Sequence, residues 1–274
     1  MTESGQLRAR ADQLLELHES GELDEALAAA EALEADAGDG DIADEVVRET
    51  LFTARFERAL LLTEQGELDQ AAEAYARAAA TPADPDDPDQ RHEVAMALLN
   101  RGICLETIGE LEAALAAYQD LVDRYGDADD PVTADLVVRA RTNRAGTLRS
   151  LDRPDEAIEE LERIAAGLDA HEPLAVEQLL IGRRLRAAAA RDLGRLEDAL
   201  SAVSDLPGED VIEPAVVVQR ASADHDRAEL LVELGRDDEA REVLDRLEAL
   251  VAGDPDLADL ADEVAATRQR LAAS

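Results

Sequence analysis

Apolar residues recur along this chain at the three-to-four-residue spacing of a helix face, and a short acidic turn breaks the pattern at regular intervals. In one stretch Leu98, Gly102, Leu105 and Ile108 fall on one side of a helix; beyond Gly109, the positions Leu111, Ala114, Leu115, Tyr118 and Leu121 do the same. The break has a fixed form, a glycine or its stand-in followed five residues later by alanine. It occurs as Gly21 to Ala26 (GELDEA), Gly66 to Ala71 (GELDQA), Gly109 to Ala114 (GELEAA), Asp152 to Ala157 (DRPDEA), Gly194 to Ala199 (GRLEDA) and Gly235 to Ala240 (GRDDEA), at steps of 41 to 45 residues. Self-similarity at such a period predicts a solenoid, in which each unit buries its apolar face against its neighbours. The expected fold is all-α: a right-handed superhelix of six helix-turn-helix repeats, at about 5–38, 41–81, 89–126, 131–169, 173–207 and 214–252. Residues 255–272 are expected to form a capping helix, the whole chain being one domain.

The turn glycine has a physical reason: helices often end on a left-handed residue, a conformation that costs glycine nothing. Acidic residues after it, among them Glu22, Asp24, Glu67, Asp69 and Glu110, lie at the positive end of the next helix. Small residues recur seven positions before the turn at Ala59, Gly102, Ala145, Ala187 and Ala228, with Leu14 the exception; they let antiparallel helices approach closely. A small residue in the first helix, a turn glycine and an alanine five later together resemble the tetratricopeptide repeat. The third unit, LLNRGICLETIGELEAALAAYQDLVDRYGD, carries the family's positions as Asn100, Gly102, Gly109, Ala114 and Tyr118, and the second as Ala59, Gly66, Ala71, Tyr75 and Ala78. The resemblance spans about residues 5–252. It departs from the family in unit length, against the usual 34, and at Asp152 and Pro154 in the fourth unit. The connections 81–89, 126–131 and 206–214, or longer first helices, are expected to absorb the excess.

Composition narrows the picture. Only 2% of residues are aromatic and tryptophan is absent, so the core must be Leu, Ala, Val and Ile. Net charge is −38, and all 27 basic residues are arginine. An acidic excess of this size, spread through folded repeats without lysine, resembles proteins of salt-accumulating halophiles, above all haloarchaea. At about 1 M salt the Debye length is about 3 Å, which screens the carboxylates from one another; at low salt their repulsion strains the fold. The same charge argues against nucleic acid, whose phosphates need clustered cations. The N-terminal MTESGQLRAR is no signal segment and no run of about 18 apolar residues exists, so a cytoplasmic, soluble protein off the membrane is expected. A single cysteine, Cys104, excludes an internal disulfide and a cysteine-cluster metal site.

The candidate chemistry is that of binding. Arginines eight residues before five of the turns, Arg58, Arg101, Arg144, Arg186 and Arg227, form a ladder, with Arg10, Arg55, Arg141 and Arg183 three residues earlier. They either grip an acidic partner or pair with neighbouring helices while their stems cover apolar surface. Proximity to the inward-packing small residues favours the second. The four histidines lack ligand spacing, and the stretches 36–41 and 84–89 lack the order of a calcium loop, so no metal and no cofactor is expected. Carboxylate pairs are too common here to mark acid-base catalysis, and no phosphate loop or nucleophile elbow is present, so no enzyme is expected.

The resemblance implies a concave groove lined by first helices. Carried over residue by residue, its positions are Thr53, Phe56, Met96, Asn100, Arg139, Thr142, Asn143, Arg149 and Arg184. Asn100, Arg139 and Asn143 supply part of a clamp for a C-terminal carboxylate, but Phe56 and Leu60 stand where its preceding cation and amide belong. The implied function is non-catalytic recognition of a partner protein or peptide. The alternative is a regulatory sensor that binds a small ligand or signal peptide and changes superhelix shape.

Overall fold

The structure, a computed structural model, describes residues 3–38, 40, 42–84, 87–168, 173–207 and 211–273. Among these residues there are thirteen α-helices and no strand. The chain divides into two compact units, residues 1–147 and 148–274, and the boundary falls inside a helix. The first unit contains α1 (Glu3–Glu19), α2 (Leu23–Gly38), α3 (Glu45–Glu64), α4 (Leu68–Ala79), α5 (Pro88–Thr107), α6 (Leu111–Tyr125) and most of α7 (Pro131–Ser150). The second holds α8 (Pro154–Gly167), α9 (Pro173–Asp192), α10 (Leu196–Ala202), α11 (Pro214–Glu233), α12 (Asp237–Val251), a single 3₁₀ turn (Pro255–Leu257) and α13 (Ala258–Ala273). Within each unit successive helices pack in antiparallel pairs, and first helices also touch, α1 on α3 and α9 on α11.

All six turns share one geometry. Gly21, Gly66, Gly109, Gly194 and Gly235 have φ between 70° and 85°, and Asp152 takes the same left-handed conformation at 59°. The residue after each turn closes the preceding helix, as where Glu110 N–H donates to Leu105 C=O at 2.8 Å and Arg153 N–H to Leu148 C=O at 2.9 Å. The chain therefore reverses direction in two residues, and the extra length of the repeat sits elsewhere. The first helices α3, α5, α7, α9 and α11 are each 20 residues long, about 30 Å. Three begin on a side-chain cap: Asp44 accepts from Val46 N–H, Asp87 from Asp89 N–H ahead of Pro88, and Asp130 from Thr133 N–H at 2.7 Å ahead of Pro131.

The alanines five residues past each turn are buried to within 1%, each lying against the partner helix of its pair. At the small-residue position before the turn the packing is tightest in the third unit, where a methyl on Gly102 would lie 2.2 Å from Tyr118 Cε1. The tyrosine ring occupies the space a side chain would need. Around it, α3 to α7 contribute a core of Leu62, Ala74, Tyr75, Val94, Leu98, Leu121 and Leu136. In the second unit Leu200, Val203, Leu230, Leu231, Leu244, Leu257 and Val264 form the equivalent core, with α13 covering the outer face of the last pair. Gly102→Ala is expected to destabilise the chain by about 1–3 kcal/mol in urea unfolding, because it overfills the contact. At the turns, Gly109→Ala is expected to lose about 1–2 kcal/mol and Asp152→Gly to lose nothing; equal losses at the two turns would contradict a shared left-handed geometry.

Candidate functional site

Where one first helix meets the next, each repeat must satisfy a polar side chain near the end of its first helix. The chemistry changes from repeat to repeat. In the first, His18 lies between two carboxylates of α3, Nδ1 2.6 Å from Glu57 Oε2 and Nε2 3.0 Å from Glu64 Oε1. In the second and third, a tyrosine of the second helix fills the seam. The Tyr75 hydroxyl lies beside Thr63 and Asn100. Tyr118 donates to Glu106 Oε2 at 3.0 Å and meets Asn143. Burial, followed by the nearby Glu106 carboxylate, pushes the Tyr118 phenol well above its ordinary value, so it is a fixed donor.

In the second unit the tyrosine position is held by Leu161, Val203 and Leu244, and arginine takes over the seam. Arg149 Nε donates to Asp192 Oδ2 at 2.6 Å; Arg184 donates through Nε to Asp226 Oδ2 at 2.7 Å and through Nη1 to Gln219 Oε1 at 3.1 Å. Arg191 pairs with Glu229, 3.4 Å away, and closely with Glu233. Glu229 also receives Arg270 of α13. These arginines wall a cleft of about 250 Å³, floored by Ile181, Leu185, Ala188 and Leu230. Ile181, Leu185 and Ala188 form one stripe of α9 at helical spacing, so the cleft combines an apolar floor with an ion-paired rim. Such a surface suits an apolar anchor carried on a polar segment.

Of the residues expected from sequence, Arg149 and Arg184 meet in this cleft. The others lie in the first unit. Phe56 stacks on Phe52, ring centroids 5.5 Å apart, and meets the Tyr75 ring in a T-shaped contact at 5.6 Å. Asn100 and Asn143 lie beside the tyrosine hydroxyls. Thr142 is buried and donates to Val138 C=O at 2.9 Å. Thr53 and Met96 are half-buried, and Arg139 is exposed with Asp135 as its charged neighbour. Sequence reasoning missed Ile181, Leu185, Ala188, Arg191, Asp226 and Leu230. The available signal was the row Tyr75, Tyr118, Leu161, Val203, in which the aromatic disappears midway along the chain.

The arginine ladder is internal at the positions where its pairs are resolved. Arg58 pairs with Glu31 and Glu34 of α2 at 3.2 and 3.5 Å, and Arg186 with Glu162 of α8 at 2.9 Å. Arg55 and Arg183 reach the ends of the second helices, at Arg77 C=O and at Ser204 and Asp205 C=O. Among the described residues no group of three His, Cys, Asp or Glu is placed to hold a metal ion, and no helix is long and apolar enough to cross a membrane. His171, and parts of the stretches 36–41 and 84–89, lie outside the described residues.

His18 makes the first seam pH-sensitive. Burial alone lowers its pKa, but hydrogen bonds and charge from Glu64 and Glu57 outweigh this and raise it above 6.5. The imidazolium's contribution is therefore complete below pH 6.5 and is lost as pH rises through the raised value. The melting temperature of the chain is expected to fall across that range and to fall less in His18→Gln, as followed by circular dichroism; identical pH profiles would contradict the assignment.

Comparison with known proteins agrees with this geometry. A family model described as tetratricopeptide repeat matches residues 90–131. No curated protein matches the chain. Among solved structures, a tetratricopeptide repeat protein from Parabacteroides merdae superposes with a TM-score of 0.60 at 14% identity, over 97% of this chain and 92% of that one. PilW, a type IV pilus biogenesis factor, gives 0.54 at 17% identity over 93% and 97%. PilF of Pseudomonas aeruginosa gives 0.52 at 16% identity over 96% and 100%. The chain thus has the all-α helical-repeat fold of tetratricopeptide repeat proteins, with the repeat itself matched at residues 90–131.

Proposed function

We propose that this chain is a non-catalytic scaffold that holds a peptide or helical segment of a partner protein against its first helices, its six repeats acting as one solenoid. The observation that carries this reading is the cleft on α9, where Ile181, Leu185 and Ala188 lie half-exposed within a rim of paired arginines and carboxylates. Internal pairing leaves the rim close to neutral, so affinity comes from the apolar floor and from short hydrogen bonds at its edge. Arg139, Thr53 and Met96 offer a second, shallower contact in the first unit. Supporting this reading is the fold shared with tetratricopeptide repeat proteins.

The acidic composition fits a salt-rich cytoplasm, where steering by long-range charge is screened and close contacts decide affinity. Helical circular dichroism is expected to drop when salt is dialysed to low millimolar, and a full signal there would remove the halophilic reading. For the cleft, affinity capture from the cells of origin at native salt is run with the native chain and with Leu185→Arg. The variant is expected to keep its helicity and lose at least tenfold of a stoichiometric partner; equal capture by both would move the binding surface elsewhere.

One observation favours the sensor reading as a second. Glu229 is shared between Arg191 in the cleft and Arg270 on α13, so an occupant that draws Arg191 away alters the hold on the terminal helix. Faster amide exchange of residues 258–273 on partner binding would support the sensor; no change in exchange there would favour the plain scaffold.

A further inference from the structure

Three residues that border the cleft of the second unit, Ala187, Arg191 and Asp226, stand at the repeat positions that surround a tyrosine side chain in the first. In the third repeat the Tyr118 ring lies against Gly102, and its hydroxyl sits between Glu106 of the same repeat and Asn143 of the next. In the second repeat the Tyr75 hydroxyl sits in the same way between Thr63 and Asn100. Two repeats on from Tyr118, every position of this shell is still present but the aromatic is not. Val203 stands in place of the tyrosine, Ala187 in place of Gly102, Arg191 in place of Glu106 and Asp226 in place of Asn143. The surrounding helices have not closed over the difference. Ala187, Arg191, Asp226 and Leu230 border the open volume, about 250 Å³ in all, while Val203 itself is fully buried.

We infer that the cleft accepts a tyrosine side chain supplied by the partner, entering from the solvent side into the place where the first unit uses its own. This rests on the scaffold reading and adds the identity of the anchor. A tyrosine ring buries about 150–250 Å² and carries a polar tip, which matches an apolar floor of Ile181, Leu185, Ala188 and Leu230 ending at charged hydrogen-bonding groups. An aliphatic anchor would cover the floor but make no hydrogen bond to the groups at that end of the cleft. The hydroxyl of the incoming ring meets Arg191 and Asp226, the counterparts of the two residues that hold Tyr118. Asp226 already accepts from Arg184 through Oδ2, so the phenol donates to its Oδ1. Rejecting an isostere that lacks the hydroxyl is easy for a site with polar groups at that point and hard for a purely apolar one. High salt does not remove this discrimination, since mobile ions do not enter between directly hydrogen-bonded groups.

The test uses p-cresol as the tyrosine side-chain probe and toluene as the phenylalanine probe, titrated into the full chain at native salt and followed by amide NMR. Saturable shifts confined to residues 181–191 and 226–230 are expected with p-cresol, and at least tenfold weaker binding with toluene. Val203→Tyr returns the chain's own ring to the seam and is expected to lower p-cresol affinity at least tenfold. If that variant does not fold, Ala188→Phe fills the cleft from a half-exposed position with the same expected loss. Absent or scattered p-cresol shifts, equal affinity for toluene, or unchanged p-cresol binding in a folded filled variant would each overturn the inference. Failure here with Leu185→Arg still losing its captured partner would leave the scaffold standing without a tyrosine anchor. Specific p-cresol binding by a chain that captures no partner would remove the scaffold alone.

Discussion

Everything in this molecule depends on how closely two antiparallel helices can approach. The alanines past each turn, and the small residues seven positions before it, are almost all sealed from solvent, and they bring backbones near enough for dispersion contacts to act along the full helix pair. Large side chains at these positions would force the helices apart and open every seam along the repeat. The left-handed turn follows from the same constraint, because only a two-residue reversal keeps the pair in register. Even Asp152 is held in that conformation, so the tight approach outweighs the backbone cost of a side chain there.

Once backbones are that close, little room remains at the seam between first helices, and its polar groups must be satisfied there. The chain uses three chemistries for one position. A histidine between carboxylates joins the first repeat to the second; buried tyrosines serve the next two seams; arginine-carboxylate pairs serve the second unit. The tyrosine seams are filled, while the arginine seams are rimmed and leave a cleft. In this way a repeat that is structurally uniform becomes chemically polarised along its length.

The turns, the pairing of helices and the small-residue rows were legible in the sequence because each is encoded within about ten consecutive residues. The groove residues of the first unit were harder to judge. Asn100 and Asn143 share the spacing of first-helix surface positions, yet each is turned toward a tyrosine 25 residues earlier in the chain, a relation that helical periodicity alone does not display. The cleft was less legible still, since it arises from an absence. Val203 reads as an ordinary core residue until it is set beside Tyr75 and Tyr118, and Asp226 reads as one acidic residue among 65 until Arg184 is found on it. The length of the repeat resolved differently: the excess is in 20-residue first helices, which patterning left undivided between helix and loop.

The central claim is that recognition is concentrated on α9 and α11 of the second unit, while the first unit is closed by its own tyrosines. Amide hydrogen exchange on the complex with the captured partner, at native salt, measures this directly. The account predicts added protection in residues 181–191 and 226–230, with the faces of α3 and α5 around Phe56 and Asn100 unchanged. Protection confined to those first-unit faces, with the α9 cleft exchanging as in the free chain, would contradict it.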